Sequence, residues 1–461
     1  MSTLSSRGKA VAGAAGAVAL ALFLAACSSS PSSSSPSGST GAAGAALPAA
    51  SAPAAGEDSS TNFVLGTFLP LTGQLASLGP AAVAGAGEAL SEINAAGGVN
   101  GKPARVISVD SGDATALQTI AEPNIKKLIS SKVSAILGAE SSGVTLDVLP
   151  TVDAAGIVMF SPANTSDALT GASKWYFRDP VPNSVEGNVL GAQIVADGHT
   201  KIAILTASEA YTTNLRDAIQ KVLESNGASV TYGGTGKNQE FSQTETNFAP
   251  IVSAALATKP DAIVIDAEAQ TTQILPALAS AGFAFKNAYF IDGNLSSYDK
   301  TVGNLAGAQG TAQGINPTSD FQTLLNNWYK ANENGATIDK GFVYAPESYD
   351  ATIILALAAD EAGSNNPADF VKYILPITGA QDAFTKNGVT PTVTPATGLT
   401  DVKTYADGLA AIKAGKQVHY IGVTGIGPLN SGHDPSSGYV TLYKFDSTNT
   451  PQPVTSVNSA K

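Results

Sequence analysis

From Asn62 onward, short apolar strands alternate with alanine-rich helical segments, and the alternation comes in two successive series. In the first, 63–68 reads as a strand and 80–96 as a helix, with Pro80 suited to a first turn and Gly97-Gly98 to the end. Strand 105–109 follows, then a helical face marked by Ile125, Leu128 and Ile129, then strands 133–137 and 157–160. The second series opens after Pro182 with helix 185–196, strand 201–206, helix 214–225 and strand 229–232. A helix with Phe248, Ile251, Val252 and Ala255 on one face comes next, then strand 261–266, helix 272–281 and strand 288–291. Strand–helix alternation builds parallel sheets covered by helices on both faces. Two series predict an α/β chain of two doubly wound parallel-sheet lobes. The cleft between such lobes, at the carboxyl ends of the strands, is where a small-molecule site belongs.

The segment before these series has a different character. Arg7 and Lys9 precede an apolar run over 11–24, shorter than the roughly 20 residues of a membrane-spanning helix. A basic head, an apolar core and small residues describe a secretion signal over 1–26. Leu24-Ala25-Ala26-Cys27 resembles the lipobox of bacterial lipoproteins, which implies acylation of Cys27 and a cut just before it. Cys27 is the only cysteine, so a cysteine nucleophile or a cysteine metal site is excluded from the body. From Ser28 to about Thr61 the chain is almost wholly Ser, Pro, Ala and Gly, too poor in apolar area to fold, so 27–61 reads as a flexible tether. The expected location is the outer face of the cell membrane.

The body of about 400 residues exceeds one ordinary core, in keeping with two lobes. The formal net charge is −12, and about −14 once Arg7 and Lys9 leave with the signal. Such an acidic surface argues against nucleic acid.

Tools for catalysis are scarce. His199, His419 and His433 have no metal-ligand spacing to one another, and solvated or capping roles are expected for all three. Gly138-Ala139-Glu140-Ser141-Ser142-Gly143 has the wrong spacing for a nucleophile elbow. Neither series opens on the glycine pattern of a dinucleotide fold, and Gly236-Lys237 lacks the rest of a phosphate loop. No enzyme activity, metal or cofactor is expected.

Several stretches together resemble the leucine/isoleucine/valine-type solute-binding proteins of ABC transporters. They are Gly66-Thr67-Phe68-Leu69-Pro70-Leu71-Thr72-Gly73, Ala89 through Gly101, and Phe160-Ser161-Pro162-Ala163-Asn164-Thr165-Ser166. Pro260-Asp261-Ala262, Tyr349-Asp350-Ala351 and Gly422-Val423-Thr424-Gly425 add further points, so the likeness runs from Phe63 to the end. It implies a type I periplasmic-binding fold whose lobes close on a solute about three hinge crossovers, near Pro182, Pro317 and Gly438. Lobe one is then 62–183 with 317–437, and lobe two 184–316 with 438–461. Relatives often carry a cysteine pair where this chain has Val402 and Gly408, so the long 365–415 region is expected to hold by packing alone.

The resemblance also supplies site residues, each with a plainer alternative. Ser141-Ser142 before a helix is a ready anion site or a simple helix cap. By resemblance Ser142 holds a ligand carboxylate, with the backbone of Ala163 and the backbone and hydroxyl of Thr165. Tyr211 reaches the ligand from the second lobe, or is an aromatic packed at its surface. Leu78 stands where branched-chain binders present an aromatic. The acidic partner of a ligand ammonium aligns with Asn294, which carries no charge. Asp292 and Glu268 are the candidate replacements, and equally ordinary loop carboxylates. The implied function is capture of a small polar solute (an amino acid, amide or related carboxylate) for a membrane permease of the ABC type, by a monomer. A ligand-sensing ectodomain is the alternative, and an enzyme a third.

Overall fold

The computed structural model describes residues 59–380 and 398–459. The signal, Cys27 and nearly all of the tether lie outside the described residues.

The first sheet comprises β1 (Val64–Leu69), β2 (Arg105–Asp110), β3 (Ala135–Gly138), β4 (Val158–Ser161) and β5 (Tyr176–Arg178), all parallel, in the order β2-β1-β3-β4-β5. The second is built from β6 (Lys201–Thr206), β7 (Ser229–Tyr232), β8 (Ala262–Asp266), β9 (Ala288–Phe290) and β10 (Gln309–Gln313), parallel in the order β7-β6-β8-β9-β10. Both sheets therefore run 2-1-3-4-5, a doubly wound order whose direction reverses between the first and third strands. A small parallel pair, β11 (Leu399–Val402) with β12 (Gln417–Tyr420), stands apart. The chain then returns to the second sheet, where β13 (Tyr439–Phe445) and β14 (Pro451–Asn458) pair antiparallel beyond β10. Pro451 and Pro453 lie on that outermost strand, where a missing N–H blunts an exposed edge.

Strand periodicity divides each core in two. Phe63, just before β1, and Leu65 on it face one cluster while Val64 and Phe68 face another; on β8, Ile263 and Ile265 oppose Ala262 and Val264 in the same way. One face of the first sheet is covered by α1 (Gly79–Ala95), the other by α2 (Glu122–Ser130) and α3 (Ser142–Ala155). The second sheet is sandwiched by α4 (Asn183–Ala196) and α5 (Ala210–Ser225) on one side, with α6 (Ala249–Ala257) and α7 (Thr271–Ser280) on the other. Later helices go back to the first lobe: α8 (Ser319–Asn332), α9 (Ala345–Ala362), α10 (Pro367–Ile377) and α11 (Tyr405–Lys413). Helix α9 is buried on every side from Ala345 to Ala359: its second half is apolar all round, and its first half buries Glu347, Ser348, Asp350 and Thr352 as well. The chain thus passes between sheets three times: between β5 and α4, between β10 and α8, and between β12 and β13.

Two sequence motifs meet in the first lobe. Asp350 accepts from the N–H and hydroxyl of Thr424 (2.8 and 2.6 Å), from Val423 N–H (3.0 Å) and from Tyr420 hydroxyl (2.7 Å). Gly422 runs at φ +68°, and a Cβ there would lie 2.2 Å from the Asp350 carboxylate, so only glycine fits. In the 365–415 region, Val402 is buried in the core, and a Cβ on Gly408 would sit 2.7 Å from Leu357; residues 381–397 lie outside the described residues.

His433 departs from expectation. It is buried, stacked on Phe177 with centroids 4.3 Å apart, with Nδ1 2.8 Å from Tyr176 carbonyl oxygen. Burial pushes its pKa down. The turn signal around it is real, but Arg178 and Asp434 draw that loop into the core. His199 and His419 lie beside Asp261 (3.7 Å) and Asp401 (2.9 Å).

Candidate functional site

The order reversal in each sheet leaves a gap at the carboxyl ends of its first and third strands, and the two gaps face one another. From the first lobe come the segment after β1, with Leu75 and Leu78, and the segment after β3, with Glu140, Ser141 and Ser142. The β4 loop adds Ala163 and Thr165. From the second lobe come Tyr211 after β6, Glu268 after β8, and Asp292 and Gly293 after β9. Tyr344, just ahead of α9, completes a narrow cavity.

Of the residues singled out from sequence, Leu78, Ser141, Ser142, Ala163, Thr165, Tyr211, Glu268 and Asp292 line this one cavity. Asn294 does not. Its amide accepts from Ile291 N–H (3.0 Å) and donates to Ile265 and Ala267 carbonyls (2.8 Å each) and to Thr271 hydroxyl (3.1 Å), bracing the ends of β8 and β9. The carboxylate offered to the cavity from this loop is Asp292, two residues earlier. It accepts from the hydroxyls of Tyr211 and Tyr344 and from Gly293 N–H (2.9 Å). Burial raises its pKa, against these donors. Glu268 is also raised, by burial and then by Glu209, Asp113, Asp292 and Asp266 nearby.

The two serines divide their work. Ser141 is the N-cap of α3, accepting from Val144 N–H at 3.2 Å, and Ser142 Oγ accepts from Ser166 N–H at 3.3 Å. Ala163 N–H is engaged by Ser161 Oγ at 3.2 Å. The Thr165 loop is held from below: Arg178 donates to Ser166 carbonyl at 2.8 Å and to Asn164 carbonyl at 3.3 Å.

Three side chains at or beside the cavity carried no signal in the sequence reading. Glu209 of the second lobe caps α5 by accepting from Tyr211 N–H, and also accepts from Gly143 N–H on α3 of the first lobe at 2.8 Å. Tyr344 adopts a left-handed backbone (φ +65°), rare for a bulky residue, which directs its phenol to Asp292. Glu140 is 4% exposed, and both its carboxylate oxygens are buried without a hydrogen-bond partner. Burial, then Glu347, pushes its pKa up to about 8. A carboxylate or tyrosine inside an ordinary loop has no local pattern to mark it.

The lobes touch across the cleft. Besides Gly143–Glu209, Asp167 N–H donates to Asn214 Oδ1 (2.9 Å) and Gln74 donates to Gln243 carbonyl (3.3 Å). This is a closed arrangement around a small polar chamber.

Comparison with known proteins agrees in extent with this architecture. The model of a family described as periplasmic binding protein matches residues 63–419. The chain belongs to that family. The Leu/Ile/Val-binding protein homolog 1 of Brucella abortus (strain 2308) is 29% identical over 338 residues, covering 70% of this chain and 85% of the relative. Among solved structures of the same fold, a leucine-binding protein from Thermotoga maritima MSB8 superposes with a TM-score of 0.63 at 16% identity, over 86% of this chain and 98% of the other. A solute-binding protein of an ABC transporter from Rhodopseudomonas palustris HaA2, in complex with p-hydroxybenzoic acid, gives 0.66 at 14% identity, over 86% and 97%. Family members of this kind bind solutes rather than transform them.

Proposed function

We propose that this chain is an exported, membrane-anchored solute-binding protein, tethered through a lipid on Cys27, that captures a small polar solute between its lobes and hands it to an ABC-type importer. The observation that carries the reading is the shared cavity: Ser142 and Thr165 from one lobe face Tyr211, Glu268 and Asp292 from the other. Amino acids, amides and related carboxylates are the classes of solute the reading covers, and relatives named for leucine, isoleucine and valine support the first. Binding favours closure only through a better fit to the closed form, and moving a population from mostly open to mostly closed takes roughly 5.5 kcal/mol of such preference. Several charge-assisted hydrogen bonds of about 1.5–3 kcal/mol each are of the right size.

A thermal-shift screen of amino acids, amides, ureas and aromatic acids tests this. A true solute at a hundred times its Kd adds about 2.7 kcal/mol of stability, and Thr165→Ala weakens that solute's binding without unfolding the protein. Absence of any stabilising solute, or turnover of one, overturns the reading. Replacing Cys27 with Ser in the full-length protein tests the anchor, with release from the membrane fraction expected.

A further inference from the structure

We propose that the solute is a small organic cation, such as a basic amino acid, a diamine or a guanidine, and that Glu140 receives one of its positive groups. The proposal rests on the solute-binding reading above and narrows it.

Three acidic residues line the cavity, Glu140, Glu268 and Asp292, and none of its lining residues is Lys, Arg or His. The nearby cations are occupied elsewhere. Arg178 is paired with Asp434 at 2.6 Å, and Arg216 with Asp217 (2.8 Å) and Glu240. The position where an incoming carboxylate would sit, the first turn of α3, is already filled: Glu209 takes Gly143 N–H and lies 3.4 Å from Ser141 Oγ.

Glu140 separates this chamber from an incidental acidic cluster. Asp292 has its donors from Tyr211, Tyr344 and Gly293, whereas both oxygens of Glu140 are buried and unpaired at the cavity wall. A buried acceptor left unmade destabilises by about 1–3 kcal/mol, so a group in that state calls for a partner. Among the described residues no group of three or more His, Cys, Asp or Glu is arranged to hold a metal ion, and an organic N–H group of the solute would supply the missing donor. Ammonium and guanidinium groups bring several N–H donors and the compensating charge together.

Titration calorimetry on the purified protein, stripped of solute by partial unfolding and refolding, tests the proposal with three sets of probes. The cationic set is arginine, lysine, agmatine and putrescine; the neutral set is leucine, isoleucine and glutamine; the anionic set is glutamate, benzoate and 4-hydroxybenzoate. At least one cationic probe is expected to bind tenfold or more tightly than every neutral and anionic one. Glu140→Gln should weaken that probe tenfold or more while the protein still melts cooperatively, and Glu140→Asp should retain most of the preference. A neutral or anionic probe that binds best overturns the cation inference and leaves the solute-binding reading standing. Full cation affinity in Glu140→Gln overturns the role of Glu140. If no probe of any class binds the wild-type protein, both the inference and the solute-binding reading are overturned.

Discussion

Arg178 donates from Nε to Asp434 Oδ1 at 2.6 Å, and neither side chain is more than 4% exposed. The same guanidinium holds the carbonyls of Asn164 and Ser166, which flank Thr165, and reaches Thr170 hydroxyl at 2.9 Å. The pair is therefore the floor of the first-lobe half of the site. Removing one partner strands the other as a buried charge, at a cost of about 3–5 kcal/mol, while replacing both with apolar residues of similar volume costs much less. Asp434→Ala is expected to lower the unfolding free energy measured in urea by that amount and to weaken solute binding. Arg178→Met combined with Asp434→Leu should recover much of the stability but not the affinity. A single substitution within 1 kcal/mol of wild type would refute this role.

Glu209 joins two helix N-termini, α5 through Tyr211 N–H and α3 through Gly143 N–H, across the interlobe gap. A carboxylate between two positive helix ends is favoured by both, and a hydrogen bond to a charged group contributes about 1.5–3 kcal/mol. Only the contact with α3 depends on closure. Glu209→Ala should therefore shift the solute-free protein toward the open form tenfold or more, read as a larger radius of gyration in X-ray scattering. An unchanged scattering curve would show that the contact does not hold the lobes together.

Burial lifts Glu88 to about 7, and Glu140 and Glu347 to about 8. Between their ordinary value near 4.5 and these raised values, the unfolded chain ionises while the folded one keeps its protons. Stability is then fully present below about pH 4.5 and is lost as pH rises through 7 to 8. Asp110, Asp197 and Asp261 are held low and act the opposite way below pH 4, outside this window, while buried His433, also held low, offsets part of the gain below its ordinary value near 6.5. The solute-free protein should melt several degrees higher at pH 5.5 than at pH 8.5, and Glu140→Gln should reduce that difference. A flat profile over this range would contradict the proton accounting.

The lobes were legible because alternation of β-branched strands and alanine-rich helices is a local signal repeated many times, and period-two burial on β1 and β8 follows from it. Boundaries moved by a few residues where turns rather than propensity set them: α5 begins at Ala210, not near 214, because Glu209 caps it. Strands β5 and β10 to β14 went unassigned; β13 and β14 are antiparallel edge strands added after a long return, which breaks the alternation that revealed the rest. In the site, Ser142, Thr165, Tyr211 and Asp292 stand at strand ends, where a motif and a position coincide. Glu140, Glu209 and Tyr344 are given meaning only by what the fold brings to them from the other lobe or from a distant segment. Asn294 aligned with an acidic position, yet its amide is used up by backbone partners in its own lobe.

Tyr344 and Asp292 meet across the cleft, the tyrosine from the approach to α9 and the aspartate from the second lobe. Holding a bulky residue at φ +65° costs on the order of 1–3 kcal/mol, so the hydroxyl is presented at the expense of local stability. Two substitutions separate the effects. Tyr344→Phe keeps the backbone and the ring but deprives Asp292 of one donor, and should weaken solute binding about tenfold or more with little change in melting temperature. Tyr344→Gly frees the backbone as well, so the stability regained there offsets part of the loss of ring packing, while the affinity falls at least as far. Calorimetry with the solute returned by the thermal-shift screen reads the first quantity and urea unfolding the second. Equal affinity for wild type and Tyr344→Phe would mean that Asp292 is set for its solute by Tyr211 and Gly293 alone.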